Sequence, residues 1–577
     1  MAEEDESQQL ENIEHGLSSN NGEAKMPASA REKGGWVTFP FIAGALMGLT
    51  LAVAGWGCNF VVYLIEEFHV RSIDATQIFN IAAASTSLLP ILGAIIADSF
   101  LGCYTVIWVS SLISVMGIIL LALTATLHSL RPRPCDIGSS ECPPASKIQL
   151  AVLLLGITLS SIGLGGTRFN IAAMGANQFN KPDHQRIFFN WFAVVIYTSL
   201  LLGATVIVYI EENVSWGLGF CLCIMTNIIG SAIFFSGRCY YRRVKPKGSP
   251  FTSLARVVIA AIVKRKIHLS SNAEDYYHGR GEGVEMVEMV ASVPGKSLRF
   301  LNHAALETEG DTREDGSVAK PWTLCSVQEV EDLKTLLRIF RLLSSSVILC
   351  TALPVLNTLT ILQALTMNRH LGSHFKVPAG SMIVFILAST AINLFLNDRF
   401  LFPLWRKMTG RSPMPLQRIG LGHIFNTTSL AVAALVESKR RRLAQSYLLP
   451  DHPGSTIPMS VLWLVPQLTL VGLGEAFHYP GQVTLYYQEF PMSLKSTATS
   501  MVSLILGMAY FFSSMVIDLV RRVTPWLPNS IDHGRLEYVY WMFSIMGMLN
   551  FCYFLICARN SKNGNLEERN DSFVSEK

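Results

Sequence analysis

The sequence predicts an all-α membrane protein whose twelve transmembrane helices form two six-helix bundles. Three observations predict it. Half of the 577 residues are hydrophobic and the mean hydropathy is +0.36, more apolar than an ordinary soluble chain. The apolar residues come in blocks of about 20 or more, enough to cross a hydrocarbon layer of about 30 Å as helices. The blocks fall into two sets of six on either side of a polar stretch, 237–338, a spacing that suits two bundles related by a pseudo-two-fold axis with a substrate path between them.

Residues 1–34 are acidic and polar (EEDESQQLENIEHG) with no apolar signal core, and read as a disordered cytosolic tail. The first bundle occupies 35–236, with spans near 38–66, 76–97, 104–128, 147–173, 188–210 and 216–236. The central loop, 237–338, follows. The second bundle occupies 339–558, with spans near 339–366, 379–397, 417–437, 458–487, 497–520 and 537–558, and 559–577 form a cytosolic tail. Lys and Arg set the orientation: Arg238, Arg242, Arg243, Lys245 and Lys247 open the central loop, and Arg399, Arg406, Lys407, Arg411 and Arg418 follow the eighth span. Both groups fall on one side, read as cytosolic together with both termini. The run Lys439 to Arg442 falls on the other side and opposes this count. Within the central loop, SPFTSLARVVIAAIVKRKIHL is amphipathic and basic; it reads either as an interfacial helix or as a helix packed under the bundle.

Charge inside the spans is sparse and therefore informative, because an ionised group in hydrocarbon is costly unless it faces a cavity or a partner. Arg168 interrupts the fourth span in SSIGLGGTRFNIAAMGANQFN, where Gly163, Gly165 and Gly166 allow close helix approach. Glu475, in TLVGLGEAFHYPGQ, is the clearest pocket carboxylate. It suits a cationic substrate group, a proton, or a pair with Arg168. Asn59, Tyr63, Asn357 and Gln363 are polar points on apolar helices that either line the cavity or tie helices together. Gly93, Asp98 and Gly102 close the second span as a hinge, and Pro466 marks a kink in the tenth. Cys135 and Cys142 share a polar loop and pair only if that loop faces an oxidising space. No nucleophile elbow, zinc-protease motif, paired CxxC or complete nucleotide loop occurs, so neither an enzyme nor an ATP-driven pump is indicated and no cofactor is called for. The small net charge of +4 gives no reason to expect a nucleic-acid partner.

The blocks GAIIADSFLG, GLGGTRFNIAAMGANQF, FFNWF at 188–192, LNTLTILQALTMNRHLG and WLVPQLTLVGLGEAF resemble the signature blocks of the plant nitrate/peptide transporter family, proton-coupled oligopeptide transporters of the major facilitator fold. The likeness runs from about Gly35 to Leu555, and LRPRPC, GGTRF and SPFTSL resemble its nitrate-excretion subgroup. The resemblance implies a secondary transporter working by alternating access on a small molecule, with protons as possible co-substrates. It also implies that Arg168 stands where the family commonly has a Lys and that Glu475 is the family's pocket Glu. Two departures stand out. The family's first-helix E-x-x-E-[KR] falls on Leu46, Leu49 and Thr50, so the usual proton relay is absent. A nitrate-binding histidine known in the family falls on Leu353. Three readings stay open: export of a glycosylated specialised metabolite, such as an alkaloid glucoside, from vacuole to cytosol; low-affinity nitrate excretion at the plasma membrane; and a solute-sensing transceptor.

Overall fold

In the computed structural model the described residues are 34–133, 143–243, 250–270, 272–279, 294–295, 298–308, 310–313, 318–373, 375–447, 456–489, 495–528, 531 and 533–575. Cys135 and Cys142 lie outside them. Among the described residues, twelve helices are long and apolar enough to span a membrane: α1 Trp36–Glu66, α2 Ser72–Leu101, α3 Cys103–Thr126, α4 Lys147–Ala176, α5 Ile187–Asn213, α6 Trp216–Cys239, α7 Val327–Thr366, α8 Gly380–Thr409, α9 Pro415–Ser446, α10 Val461–Tyr486, α11 Met501–Val523 and α12 Leu536–Arg559. The face that carries the start of α1 and the end of α12 is called here the terminal face, and the opposite one the distal face. Beyond the helices the described chain adds two two-stranded ladders. Met367–Asn368 runs parallel to Ile457–Ser460, and His370–Leu371 pairs antiparallel with Phe375–Lys376.

Local chemistry explains the helix ends. α4 starts at a capping box, with Ser146 Oγ accepting from the Gln149 N–H and Gln149 Oε1 accepting from the Ser146 N–H. α7 starts the same way at Ser326 and Glu329. Each box satisfies two of the amides that a helix start leaves without partners. α7 therefore begins well before the apolar run near 339. Its first turns, rich in Glu, Asp and Lys, carry Val327, Val330 and Leu333 into a cluster with Val257, Ala260 and Leu301.

Glycine places α4 within the first bundle. Gly163 lies against Ser114 and Gly166 against Ser110, both on α3, while Gly165 lies against Leu89 on α2. A β-carbon at any of these positions would collide with its neighbour, so the run lets α4 sit between two helices at backbone contact. Gly93 returns the contact from α2: a β-carbon there would come within 2.9 Å of Gly166 Cα.

α2 and α8 share a π-helical turn, at the end of α2 and eight residues before the end of α8. Ala97–Leu101 and Asn397–Leu401 are both wound as π-helix in the terminal half of their helices, a widening that is rare and recurs at functional sites. The residues are Asp98-Ser-Phe-Leu and Asp398-Arg-Phe-Leu. This is a short internal repeat at the second helix of each bundle, hidden by the divergence around it. Gly102 closes α2 at φ 75°, a left-handed conformation that glycine adopts without a Cβ penalty. The Asp98 side chain is not among those described.

The helix Pro250–Val263 packs Val257, Ala260 and Ala261 onto Leu301, Ala304 and the first turns of α7, leaving Val258, Ile259, Ile262 and Val263 exposed. Lys264 fastens its end by donating to the Leu306 carbonyl (2.6 Å) and pairing with Asp311. Burial works against the ionised Asp311 carboxyl. Its hydrogen bonds from Lys264 and Thr308 outweigh this and hold it below its ordinary range.

The basic run Lys439 to Arg442 sits at the distal end of α9 and is largely taken up by the protein. Lys439 lies over the Trp463 ring, 3.4 Å from its centroid. Arg440 and Glu437 are fully buried; Nε and Nη2 of Arg440 donate to both Glu437 oxygens (2.8 and 2.7 Å), and Nη1 donates to Thr366 (2.9 Å). Arg441 pairs with Glu537. These charges serve helix packing, so their conflict with the charge count for orientation carries little weight.

A charged site between the bundles

Arg168 and Glu475 come from opposite bundles at similar depth. α4 and α10 run the same way, from distal to terminal face. Arg168 is eight residues before the end of α4 and Glu475 eleven before the end of α10, about 12 and 16 Å inside at 1.5 Å per residue. Arg168 is exposed and makes no hydrogen bond or ion pair among the described residues. Glu475 keeps 14% of its side-chain surface and accepts at Oε1 from His478 Nε2 (2.9 Å), with the imidazole wholly buried. Tyr197 on α5, Tyr479 on α10 and Tyr510 on α11 lie within electrostatic reach of both charges. Tyr510 also meets the Phe79 ring of α2 (6.4 Å between centroids). The site thus combines one cation, one carboxylate oriented by a histidine, and aromatic rings with hydroxyls. That set has the chemistry to hold a solute with both polar and apolar faces.

The other residues singled out in the sequence fall elsewhere. Asn357, on α7, is buried without a described hydrogen bond. Gln363 is committed to the buried network of the second bundle: its Nε2 donates to Glu437 Oε2 (2.6 Å), and its Oε1 accepts from Gln467 (3.2 Å) and Tyr540 (3.1 Å). Tyr63 exchanges a hydrogen bond with Thr124 (2.8 Å) inside a ring cluster of Phe68, Trp216 and Phe220. Asn59 stands at a break in α1, between Phe39–Cys58 and Phe60–Glu66. Pro466 occupies the second residue of Val465–Glu489, whereas Pro480 lies inside that helix. Pro466 therefore lies in the first α-helical turn of α10, just after the 3-10 turn Val461–Leu464, where a proline's missing amide leaves no hydrogen bond unmade.

The contacts that cross between the bundles gather toward the distal face. Glu212 of α5 pairs with Arg369 and accepts from the Ala379 N–H (3.1 Å). Ser381 donates to the Ala204 carbonyl (2.7 Å). Tyr209 stacks on Phe375 (5.7 Å, 4°), and Gly380 packs on Asn59. On the other flank, Asp74 of α2 pairs with Arg521 of α11, and Gln77 Nε2 donates to the Ser514 carbonyl (3.2 Å). The distal face is bridged, while the charged site lies toward the terminal face.

A profile of the POT family matches residues 104–531. The chain belongs to the POT family. It is 48% identical over 557 residues to "Protein NRT1/ PTR FAMILY 2.7" of Arabidopsis thaliana, covering 96% of this chain and 98% of that protein. Over 555 residues it is 48% identical to "Protein NRT1/ PTR FAMILY 2.6" of the same plant, with the same coverage. Among solved structures it is similar to the crystal structure of the POT family transporter PepTSo, with TM-score 0.68 and 17% identity over 91% of this chain and 98% of that one. This POT-family chain is a secondary transporter of the major facilitator fold, not an enzyme.

In this POT-family chain the first-helix positions Leu46 and Leu49 are 4% and 5% exposed. They pack with Ile171 and Met174 of α4, Phe188 of α5 and Phe234 of α6. The aliphatic side chains belong to the core of the bundle. His478 and the tyrosines were not picked out from the sequence. His478 was within reach, three residues after Glu475 and so on the same helical face. The tyrosines come together only through the fold.

Proposed function

We propose that this transporter exports a glycosylated specialised metabolite, such as an alkaloid glucoside, from the vacuole to the cytosol, with the terminal face cytosolic. The observation that carries this reading is the shared neighbourhood of Arg168 and a histidine-held Glu475, both within electrostatic reach of Tyr197, Tyr479 and Tyr510. Tyrosine rings and hydroxyls suit a sugar joined to an aromatic body, and the carboxylate suits a basic nitrogen. With Leu46, Leu49 and Thr50 in place of the ionisable triad, the substrate gradient is the main driving force.

A second reading, low-affinity nitrate excretion at the plasma membrane, draws on Arg168, which has no ion-pair partner among the described residues. Glu475 argues against it, because a carboxylate in the same site repels an inorganic anion. Efflux from preloaded oocytes, with labelled nitrate and an alkaloid glucoside compared at two external pH values, separates the two. Glucoside efflux supports the first reading, nitrate efflux alone replaces it with the second, and movement of neither rejects both.

A further inference from the structure

Glu211 and Glu212 are adjacent at the distal end of α5 and have opposite surroundings. Glu212 reaches across the gate to Arg369 and the Ala379 N–H. Glu211 turns into its own bundle and is 1% exposed. Among the described residues, neither of its oxygens has a hydrogen-bond partner. The Asn59 amide is the polar group beside it but falls short of hydrogen-bond geometry, and both amide atoms of Asn59 are themselves buried and unpartnered. Gly219 of α6 lies against the Glu211 side chain. Its titratable neighbours are Cys58 and Tyr63 on α1, Cys223 on α6 and Glu212 itself. None of them is a cation, and Arg369 is engaged by Glu212. An ionised carboxylate removed from water without a cation or donors costs many kcal/mol, whereas the neutral acid costs far less.

Asn59 connects this buried acid to the gate. It fills the break in α1 and touches Gly380, the first residue of α8, so separation of α8 from α1 on the distal side uncovers Asn59 and opens a path for water to Glu211. We infer that Glu211 is a proton-binding site of the distal gate: closure takes one proton from the distal aqueous phase onto a Glu211 carboxylate oxygen, and opening returns it to the same phase. A proton that enters and leaves by one face drives no uphill transport. It sets which conformation is populated, and a full proton of difference moves that equilibrium about tenfold per pH unit, with acid favouring closure. The site needs no first-helix relay, in keeping with Leu46, Leu49 and Thr50. The inference rests on alternating access and not on the identity of the substrate.

The test uses full-length protein in lipid vesicles and needs no substrate. Infrared difference spectra between acid and alkaline buffer report the carbonyl stretch of neutral carboxylic acids. The wild type is expected to show such a band that titrates, Glu211→Gln to lose it, and Glu212→Gln to keep it. A band unchanged in Glu211→Gln overturns the inference. Should Glu211→Gln fail to fold, Glu211→Asp keeps an acid at the site and is expected to shift the band, and an unshifted band overturns it equally. Transport adds a second readout: efflux of whichever probe moves, nitrate or alkaloid glucoside, should lose its dependence on distal pH in Glu211→Gln, and a retained profile contradicts the inference. If neither probe moves, the substrate reading fails while the infrared result still decides the proton site.

Discussion

The Glu212–Arg369 ion pair should control how often the distal face opens. Both side chains are nearly buried, at 6% and 9% exposure, and they come from opposite bundles, so the pair is made only when the gate is closed. Arg369→Gln leaves Glu212 with the Ala379 N–H alone. Truncating one partner of a buried charge pair costs about 2–5 kcal/mol, much of it the penalty of the stranded charge. That penalty disappears when the gate opens and water reaches Glu212. Even the lower figure, about 2 kcal/mol, shifts the closed–open equilibrium about 30-fold toward open. The assay is the rate at which a membrane-impermeant maleimide, added from the distal side, modifies Ser381→Cys in a background without the other cysteines. Ser381 is buried in the closed gate, where its hydroxyl binds the Ala204 carbonyl, so modification follows the open fraction. Arg369→Gln should raise the rate by tenfold or more. Glu212→Gln with Arg369→Gln should return most of the way to wild type, because no charge is then stranded. An unchanged rate in the single variant, or a double variant as fast as the single, would refute the gate assignment.

Three other perturbations test the remaining architecture. Glu475→Gln keeps the shape and the His478 contact but removes the charge, and should lower efflux of a basic glucoside by tenfold or more in KM or Vmax while leaving protein levels unchanged; equal efflux removes Glu475 from recognition. The triple change Leu46→Glu, Leu49→Glu and Thr50→Lys should increase the pH dependence of flux if the missing triad is what uncouples the carrier. The burial of Leu46 and Leu49 predicts a drop in thermal stability beside it, measured as Tm in detergent, and a stable, pH-indifferent variant contradicts both points. Arg440→Met strands the buried Glu437 and should destabilise the second bundle by about 3–5 kcal/mol, read as a fall of several degrees in Tm. The exposed pair of Arg522 and Asp518 serves as a control, since Arg522→Met should change stability by less than about 1 kcal/mol.

Much of this architecture is legible in the sequence because the bilayer constrains it so strongly. A spanning segment has to satisfy its backbone internally, so twelve apolar blocks already imply twelve helices. Arg168 and Glu475 were legible for the same reason: charge in a span has few roles, and the fold brings both to one site between the bundles. Polar, uncharged side chains carry less information. Gln363 and Tyr63 look like cavity residues by composition, yet one ties Glu437, Gln467 and Tyr540 together and the other closes a ring cluster with Thr124. Nothing in the chain near either residue distinguishes a helix-tying amide or phenol from a substrate-facing one, because the partner lies on another helix.

The gate was hidden for a related reason. Glu211, Glu212 and Arg369 stand at span ends, where charge is cheap and normally faces water or headgroups. Their sequence context therefore gives no cause to treat the two glutamates differently. The fold separates them: one side chain points across to the connection between α7 and α8, and the other is folded inward against Asn59 and Gly219. Two adjacent acids, one paired with an arginine and one without a hydrogen-bond partner among the described residues, divide the work at this end of the molecule. The paired acid holds the bundles together, and the unpaired one makes that hold depend on protons. A carrier with Leu46, Leu49 and Thr50 on its first helix can in this way respond to pH at its gate.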